Sequence, residues 1–352
     1  MKTAITRLTL QHFRCFPQFT LTPDSGVNLI SGANGLGKTS VLEALYFLSY
    51  GRSFRTAQLD RIIQQDQQGF TIFCEFCHRQ KTHQLGVSRH KQHPAKMRLD
   101  GEDISSHALI AQQLPMLIMN PESFRFFTDG AKGRRQILDW GVFFAESQFM
   151  QAWQKANRIL QQRNQALKMQ QPYSVIAPWD QQFVEMAEVI DVARSRYVAV
   201  WVEALKSLLG DFWSAHQLSM SYVRGWSKEK ALLPLLESHY AQDRAQGFTQ
   251  YGPHRADIRL RAKGIVAQDH LSRGQQKRLI YALKLAQGKV LKEASGQNVI
   301  YLLDDIRSEL DQDNFQQLLT SVVSQDAQVF LTSIDDNEIP EVQRSVLLGL
   351  GS

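Results

Sequence analysis

The sequence predicts an α/β head, split in the chain and carrying an antiparallel β part, with a helical arm inserted between its halves. Three observations predict it. "GVNLI", residues 26–30, is a short apolar run that leads through the glycine-rich "SGANGLGKTS" into a helical stripe of Val41, Leu42, Leu45 and Leu48. "NVIYLLDD", residues 298–305, is a second apolar run, and it ends in two carboxylates. Between them, two long amphipathic stretches share a short connection, the pattern of an antiparallel helix pair.

Along the chain, Ile5, Leu8, Leu10 and Phe13 are spaced by polar residues, as in an edge strand. Residues 70–120 alternate in short strands with turns such as "LDGED". In "FTIFCEFCHRQ", Phe70, Ile72, Cys74 and Phe76 share one strand face, so Cys74 and Cys77 point to opposite faces. That disfavours both a haem reading of "CEFCH" and a zinc site with His83, His90 or His93. "AKGRRQILDWGVFF" opens the helical region. One arm helix carries Trp153, Ala156, Leu160 and Leu167 and stops before Pro172. The other is expected from Pro178 to a stop at Gly210. "ADIRLRAKG" reads as a strand, Ser272 starts a helix, and "AQVFLTSID" is another buried strand. The expected division is 1–125 and 245–352 for the two head halves and 126–244 for the arm.

The balance of 43% hydrophobic and 21% charged residues is that of a globular chain. A net charge of +6 permits a polyanionic partner. No run of 18 apolar residues exists and the first residues lack a signal-peptide core, so the expectation is a cytoplasmic protein without a membrane span. Three cysteines, Cys15, Cys74 and Cys77, fit reduced thiols.

The chemistry is carried by Gly32, Ala33, Asn34, Gly35, Leu36, Gly37, Lys38 and Thr39, which match G-x-x-x-x-G-K-[ST] completely. Glycines let backbone N–H groups turn toward a phosphate chain, and the helix after them points its N-terminus at it. Lys38 suits the β and γ phosphates, and the Thr39 hydroxyl suits Mg²⁺. Such a site needs a carboxylate at the end of a neighbouring strand. Asp304 is assigned to the metal shell, and Asp305 to positioning or deprotonating the attacking water.

"LSRGQQ", Leu271 to Gln276, is by itself only a capped helix start. Upstream of the carboxylate strand it resembles the signature motif of ABC-type ATPases, with Arg273 in place of the first family glycine. The resemblance implies that Ser272, Arg273, Gly274 and Gln275 contact the γ-phosphate held by a second subunit. It also implies that Asp311 of "SELD" lies at that dimer interface. Lys38 and Asp304 are 266 residues apart, and a head interrupted by a helix pair resembles the chromosome-maintenance and DNA-repair ATPases of the ABC type. In that group Arg14 of "LQHFRCF" would face the nucleotide alongside Ser40, and Asn120 stands where a glutamine is usual. Over nearly the whole chain the sequence is similar to the RecF family, through "GANGLGKT", "NPESFRFF", "GRRQILDWGVFF", "YGPHRADI", "LSRGQQKRLIYALKLAQ" and "LLDDIRSELD".

This resemblance implies ATP and Mg²⁺ as cofactors and an ATP-dependent homodimer that binds DNA. It implies action with RecR and RecO to help RecA onto single-stranded gaps, and slow hydrolysis that releases the dimer. Two basic stretches are candidates for the DNA surface. One is Arg79, Lys81, Arg89, Lys91, Lys96 and Arg98, in a run from Phe76 to Leu99 without any Asp or Glu. A solvated hairpin face is the alternative for this run. The other is "GPHRADIRLRAK", in which Arg255 is open to a second role at the nucleotide or dimer interface. No groove-reading motif is present, so binding without sequence specificity is expected. The alternatives are a transporter ATPase subunit and a nuclease with an ATPase head.

Overall fold

The computed structural model describes residues 3–334 and the backbone of a strand at 346–349. By contact density the chain forms two units, Met1–Ser123 with Ile280–Ser352, and Phe124–Leu279.

The first unit holds two sheets. Strands β1 (Ala4–Phe13), β2 (Phe16–Leu21), β4 (Gly69–His78), β5 (Lys81–His90), β6 (Lys96–Leu99) and β7 (Glu102–Ile104) form an antiparallel sheet in the order β2-β1-β4-β5-β6-β7. The β1 strand lies between β2 and β4, so it is interior and not the edge strand its alternation predicts. Steps of three between Ile5 and Leu8 and between Leu10 and Phe13 do not fit a period of two. The register slips between Ile5 and Arg7, and His12 has φ 53°. These irregularities return all four side chains to the core face. Phe70, Ile72, Cys74 and Phe76 also face the core, while Cys77 is on the other face. The turn between β6 and β7 is Asp100–Gly101, both at positive φ as a tight hairpin requires.

The second sheet is parallel. Strands β3 (Val27–Ser31), β8 (Met116–Met119), β12 (Ile300–Leu303), β13 (Val329–Ser333) and β14 (Val346–Gly349) run in the order β14-β3-β13-β12-β8. β3, β12 and β13 are buried along their whole length, as strands covered on both faces must be. The Lys38–Tyr50 helix packs with both sheets in one core that includes Leu8, Leu45, Phe47, Phe76, Leu302 and Phe330. It stops at Gly51, whose φ of 63° makes a left-handed cap.

The second unit is helical with one small sheet. The helices Phe149–Lys168 and Tyr173–Leu209 are joined by four residues and pack against each other. The long helix begins five residues before Pro178, which therefore lies inside it. A proline there removes the N–H that would bond the Ser174 carbonyl, and Ser174 is exposed, so water can take that place. Arg163, fully buried, joins the hairpin to the segment after it through Asp180 at 2.6 Å, Asp243 at 2.7 Å and the Thr249 hydroxyl at 2.8 Å. Such a group specifies register more than it adds stability.

The boundary expected at 244/245 falls instead at 279/280. Strand β10 (Asp257–Ala262) pairs with β9 (Leu218–Val223) and with β11 (Ile265–Val266), so "ADIRLRAKG" belongs to the helical unit. Arg134 of the Gly130–Ala145 helix fixes it there, gripping Asp257 through two bonds of 2.7 and 2.9 Å.

Candidate nucleotide site

Because the second sheet is parallel, the carboxyl ends of β3, β13, β12 and β8 meet at one rim, where open α/β sheets hold their ligands. β3 delivers the Gly32–Gly37 loop, β13 delivers Thr332 and Ser333, β12 delivers Asp304, and β8 delivers Asn120. The strand bearing Asp304 is not the immediate neighbour of the loop strand, since β13 lies between them.

The loop has the backbone its glycines allow. Gly35 and Gly37 have φ of 89° and 99°, and a Cβ on Gly37 would come within 2.5 Å of the Phe16 ring and 2.6 Å of the Cys15 sulfur. Lys38 lies across the loop and donates to the carbonyls of Gly32 at 2.5 Å and Ala33 at 3.0 Å. Its ammonium is therefore held where a phosphate chain cradled by the loop would pass.

Thr39, in the first turn of the helix, reaches past β13 and donates to Asp304 Oδ1 at 2.9 Å. Thr332 on β13 donates to the same oxygen at 3.0 Å and accepts the Asp305 N–H at 3.0 Å. Burial pushes the Asp304 carboxyl above the usual carboxylate range, and the two hydroxyl donors oppose that shift. Asp305 is exposed, with φ 53° and ψ 34°. A non-glycine residue in that conformation costs about 1–3 kcal/mol and tends to mark a functional position.

A cavity of about 990 Å³ opens over this rim. Its lining includes Lys38, Thr39, Ser40, Asp305, Thr332 and Arg14, and all of its lining residues belong to the first unit. Arg14 lines the cavity but is not free. Its guanidinium grips Glu43 through bonds of 2.8 and 2.6 Å. Asn120 is buried in a tight turn, where its Oδ1 accepts the Ser123 hydroxyl and its N–H bonds the same oxygen.

The signature segment lies in the second unit. Ser272 accepts the Gln275 N–H at 3.3 Å while the Gln275 side chain accepts the Ser272 N–H at 2.9 Å, a reciprocal capping box. Ser272, Arg273 and Gly274 are exposed, with the Arg273 guanidinium 4.7 Å from the Phe124 ring centre. Asp311 caps the following Gln312–Val323 helix, and the bonds it accepts from Asn314 lower its pKa.

The basic run does not form one patch. Arg79 and Lys81 sit at one end of the β4–β5 hairpin and Arg89 and Lys91 at the other, ten residues or roughly 33 Å along the strand. Arg89 pairs with Asp60 at 2.9 Å and Arg98 with Asp103 at 2.6 Å, acids that lie outside the run in sequence. Arg79, Lys81, Lys91 and Lys96 are exposed, and Arg255 lies 5.2 Å from the Phe248 ring centre.

Three residues that order the site were not singled out from the sequence: Thr332, Glu43 and Lys284. Each is a polar residue in an apolar run, "VFLTS", "SVLEALYFL" and "LIYALKLA", and that interruption is the signal. Glu43 is fully buried. Lys284 is buried too, donating to the Ile118 carbonyl and, at 2.7 Å, to the Ser123 hydroxyl.

The RecF/RecN/SMC N-terminal domain family matches residues 4–350. The chain is 43% identical over 332 residues to the DNA replication and repair protein RecF of Shewanella baltica strain OS155, covering 94% of this chain and 92% of that one. It is 42% identical, with the same coverage, to the protein of that name from Shewanella oneidensis strain MR-1. Among solved structures, the recombination mediator protein RecF with ATP aligns with a TM-score of 0.88 at 23% identity, over 96% of this chain and 94% of that one. An Smc head domain from Pyrococcus furiosus aligns at 0.57 and 14% identity, over 99% and 93%, which reflects the fold alone. These relatives do not favour the transporter alternative. The chain belongs to the RecF family of DNA replication and repair proteins, within the wider RecF/RecN/SMC group.

Proposed function

We propose that this chain is an ATP-operated DNA clamp that acts with RecR and RecO to help RecA onto single-stranded gaps. The observation that carries the reading is the convergence of Lys38, Thr39 and Asp304 at one rim, with Asp305 exposed on the same cavity. The solved RecF relatives described with ATP, in the RecFOR pathway, support the choice of nucleotide and partners.

The donor set suits Mg²⁺. Thr39 and Asp304 offer hard oxygens, and Mg²⁺ is commonly held by one or two protein oxygens plus phosphates and water. Bound there, Mg²⁺ would neutralise charge on the β and γ phosphates. Lys38 exchanges its two loop carbonyls for phosphate oxygens. Asp305 takes the proton of a water attacking the γ-phosphate. The Ser272–Gln275 segment of a second copy, exposed at Ser272, Arg273 and Gly274, closes over the nucleotide, so the complete site exists only in the dimer and hydrolysis by one chain alone is slow. ATP then acts by differential affinity for the closed state, and hydrolysis lets the dimer part and release DNA. The exposed cations Arg79, Lys81, Lys91, Lys96 and Arg255 are candidate phosphate contacts, so DNA affinity falls steeply with salt.

The test is mass in solution with and without ATP–Mg²⁺, for the wild type, Lys38→Met and Ser272→Arg. The expected result is an ATP-dependent dimer that both substitutions abolish. ATP binding with no change in mass, with or without DNA, rules out the clamp and leaves only a nucleotide-binding head.

A further inference from the structure

A second cavity, of about 250 Å³, lies within the helical unit. Lys132 and Arg135 of the Gly130–Ala145 helix line it, with Trp153 and Phe183 of the helical hairpin, Arg194, and His254. Its cations differ in how they are compensated. Arg194 is satisfied, with Asp139 at 2.8 and 2.9 Å and the Pro253 carbonyl at 2.7 Å. Arg135 has no such carboxylate fork. It is half-buried and bonds the Ala256 carbonyl at 2.7 Å, and burial with repulsion from Arg194 holds its pKa below the usual guanidinium value, against the attraction of Asp139 and Asp257. Lys132 is exposed, with no carboxylate partner among the described residues. His254 adds no charge at neutral pH, because burial pushes it down to about 4.

The cavity therefore holds two cations, Lys132 and Arg135, that are hydrogen-bonded to no carboxylate among the described residues, beside aromatic rings; Asp139 also lines it and attracts Arg135, but its oxygens are bonded to Arg194. Trp153 is 39% exposed: the stripe that is buried on its helix runs through Phe149, Ala152, Ala156 and Ile159, so the indole expected on the packed face lies beside it. An exposed indole next to uncompensated cations is a stacking platform with a phosphate anchor, the pairing by which single nucleotide units are held.

We propose that this cavity is a second nucleotide-binding site, separate from the phosphate loop, that takes one nucleotide unit with its phosphate on Lys132 and Arg135 and its base against Trp153. The unit comes either from a free mononucleotide or from a nucleic-acid strand.

The test uses the full chain with ATP–Mg²⁺ saturating the phosphate loop. Binding of dTMP, of a fluorescent fifteen-residue oligo-dT and of inorganic phosphate is measured by calorimetry and anisotropy, for the wild type, Lys132→Ala, Arg135→Gln and Trp153→Leu. ATP affinity and the circular dichroism spectrum report folding. Lys132→Ala and Trp153→Leu alter exposed side chains, so the test does not rest on Arg135 alone. Trp153→Leu should weaken the bound nucleotide about tenfold, as loss of one stacked base does. Binding of dTMP points to a free mononucleotide, and binding of oligo-dT alone points to a strand. Three results overturn the proposal: no binding of either nucleotide probe, unchanged affinity in Lys132→Ala and Trp153→Leu, or inorganic phosphate binding as tightly as dTMP.

Discussion

Replacing Thr332 with valine should separate the two components of nucleotide binding. The substitution keeps the shape of the side chain and removes its hydroxyl. Asp304 Oδ1 then loses the donor at 3.0 Å, and the Asp305 N–H loses its acceptor at 3.0 Å. The remaining donor is Thr39 at 2.9 Å, the hydroxyl that the proposed Mg²⁺ would take. With Mg²⁺ bound, Thr332 is thus the one hydroxyl left to hold the Asp304 carboxylate in place. A hydrogen bond to a charged group contributes about 1.5–3 kcal/mol. At about 1.4 kcal/mol per factor of ten, Mg²⁺-dependent ATP affinity should fall roughly 10–100-fold. ATP binding in EDTA, which uses the loop and Lys38, should not change. The pH dependence should move as well. Asp304 already titrates above the usual carboxylate range because it is buried, and Thr332 is one of the two groups opposing that shift. Metal binding needs the ionised form, so it is present above the Asp304 pKa and lost as pH falls through it. In Thr332→Val that loss begins at a higher pH. Fluorescent-ATP titrations with and without Mg²⁺ measure both effects, and Thr332→Ser should restore both. An equal loss with and without Mg²⁺, or a serine variant that behaves like valine, would refute the reasoning.

Three further outcomes follow from buried or exposed groups near the rim. Glu43→Gln removes the countercharge of Arg14 and, at 3.5 Å, of Arg55, and should lower stability by about 2–4 kcal/mol, seen as an earlier urea midpoint. Cys15 is exposed beside the loop in the nucleotide cavity, so ATP should slow its alkylation by iodoacetamide, while Cys74, buried and with its thiol pushed up by burial, stays unreactive in either state. Lys284 is pushed down to about 7 by burial, so its charging penalty is complete below pH 7 and is relieved as pH rises toward the unfolded value near 10.4. Relative to Lys284→Met, the wild type should therefore gain up to about 1.4 kcal/mol per pH unit between pH 7 and 10, and parallel urea midpoints across that range would contradict it.

The phosphate loop, Asp304, the capped helix at Ser272 and the helical hairpin were legible because each is a local pattern. A glycine spacing or an apolar stripe is set within a few turns of chain, and physics reads it there as it does in the fold. What was not legible is non-local. The order of the parallel sheet puts β13 between the loop strand and the carboxylate strand, and nothing within either strand encodes that order. The place of Thr332 follows only from it. Arg14 could be placed at the cavity from its motif, but its partner Glu43 is 29 residues away on a helix. The same holds for the expected boundary at 244/245. The segment "ADIRLRAKG" is a strand on any reading, yet which unit it joins depends on its pairing with β9, about forty residues earlier.

Charge shows the limit most clearly. From Phe76 to Leu99 the sequence has six cations and no acid, which reads either as a solvated hairpin face or as a polyanion surface. Folding brings Asp60 to Arg89 and Asp103 to Arg98, and it sends the remaining cations to opposite ends of a ten-residue strand pair. Groups separated by roughly 33 Å lie several Debye lengths apart at physiological salt, so the two ends do not act as one surface. The cavity between the helices is the converse case. Lys132, Arg135 and Arg194 are scattered over sixty residues of sequence and accompanied by Asp139, so no run of charge announces them. Asp139 is committed to Arg194 by two short bonds, and the local excess stays with Lys132 and Arg135. For binding an anion, what decides is therefore not the count of cations along the chain but which of them fold onto one cavity without a carboxylate bonded to them, as Lys132 and Arg135 do.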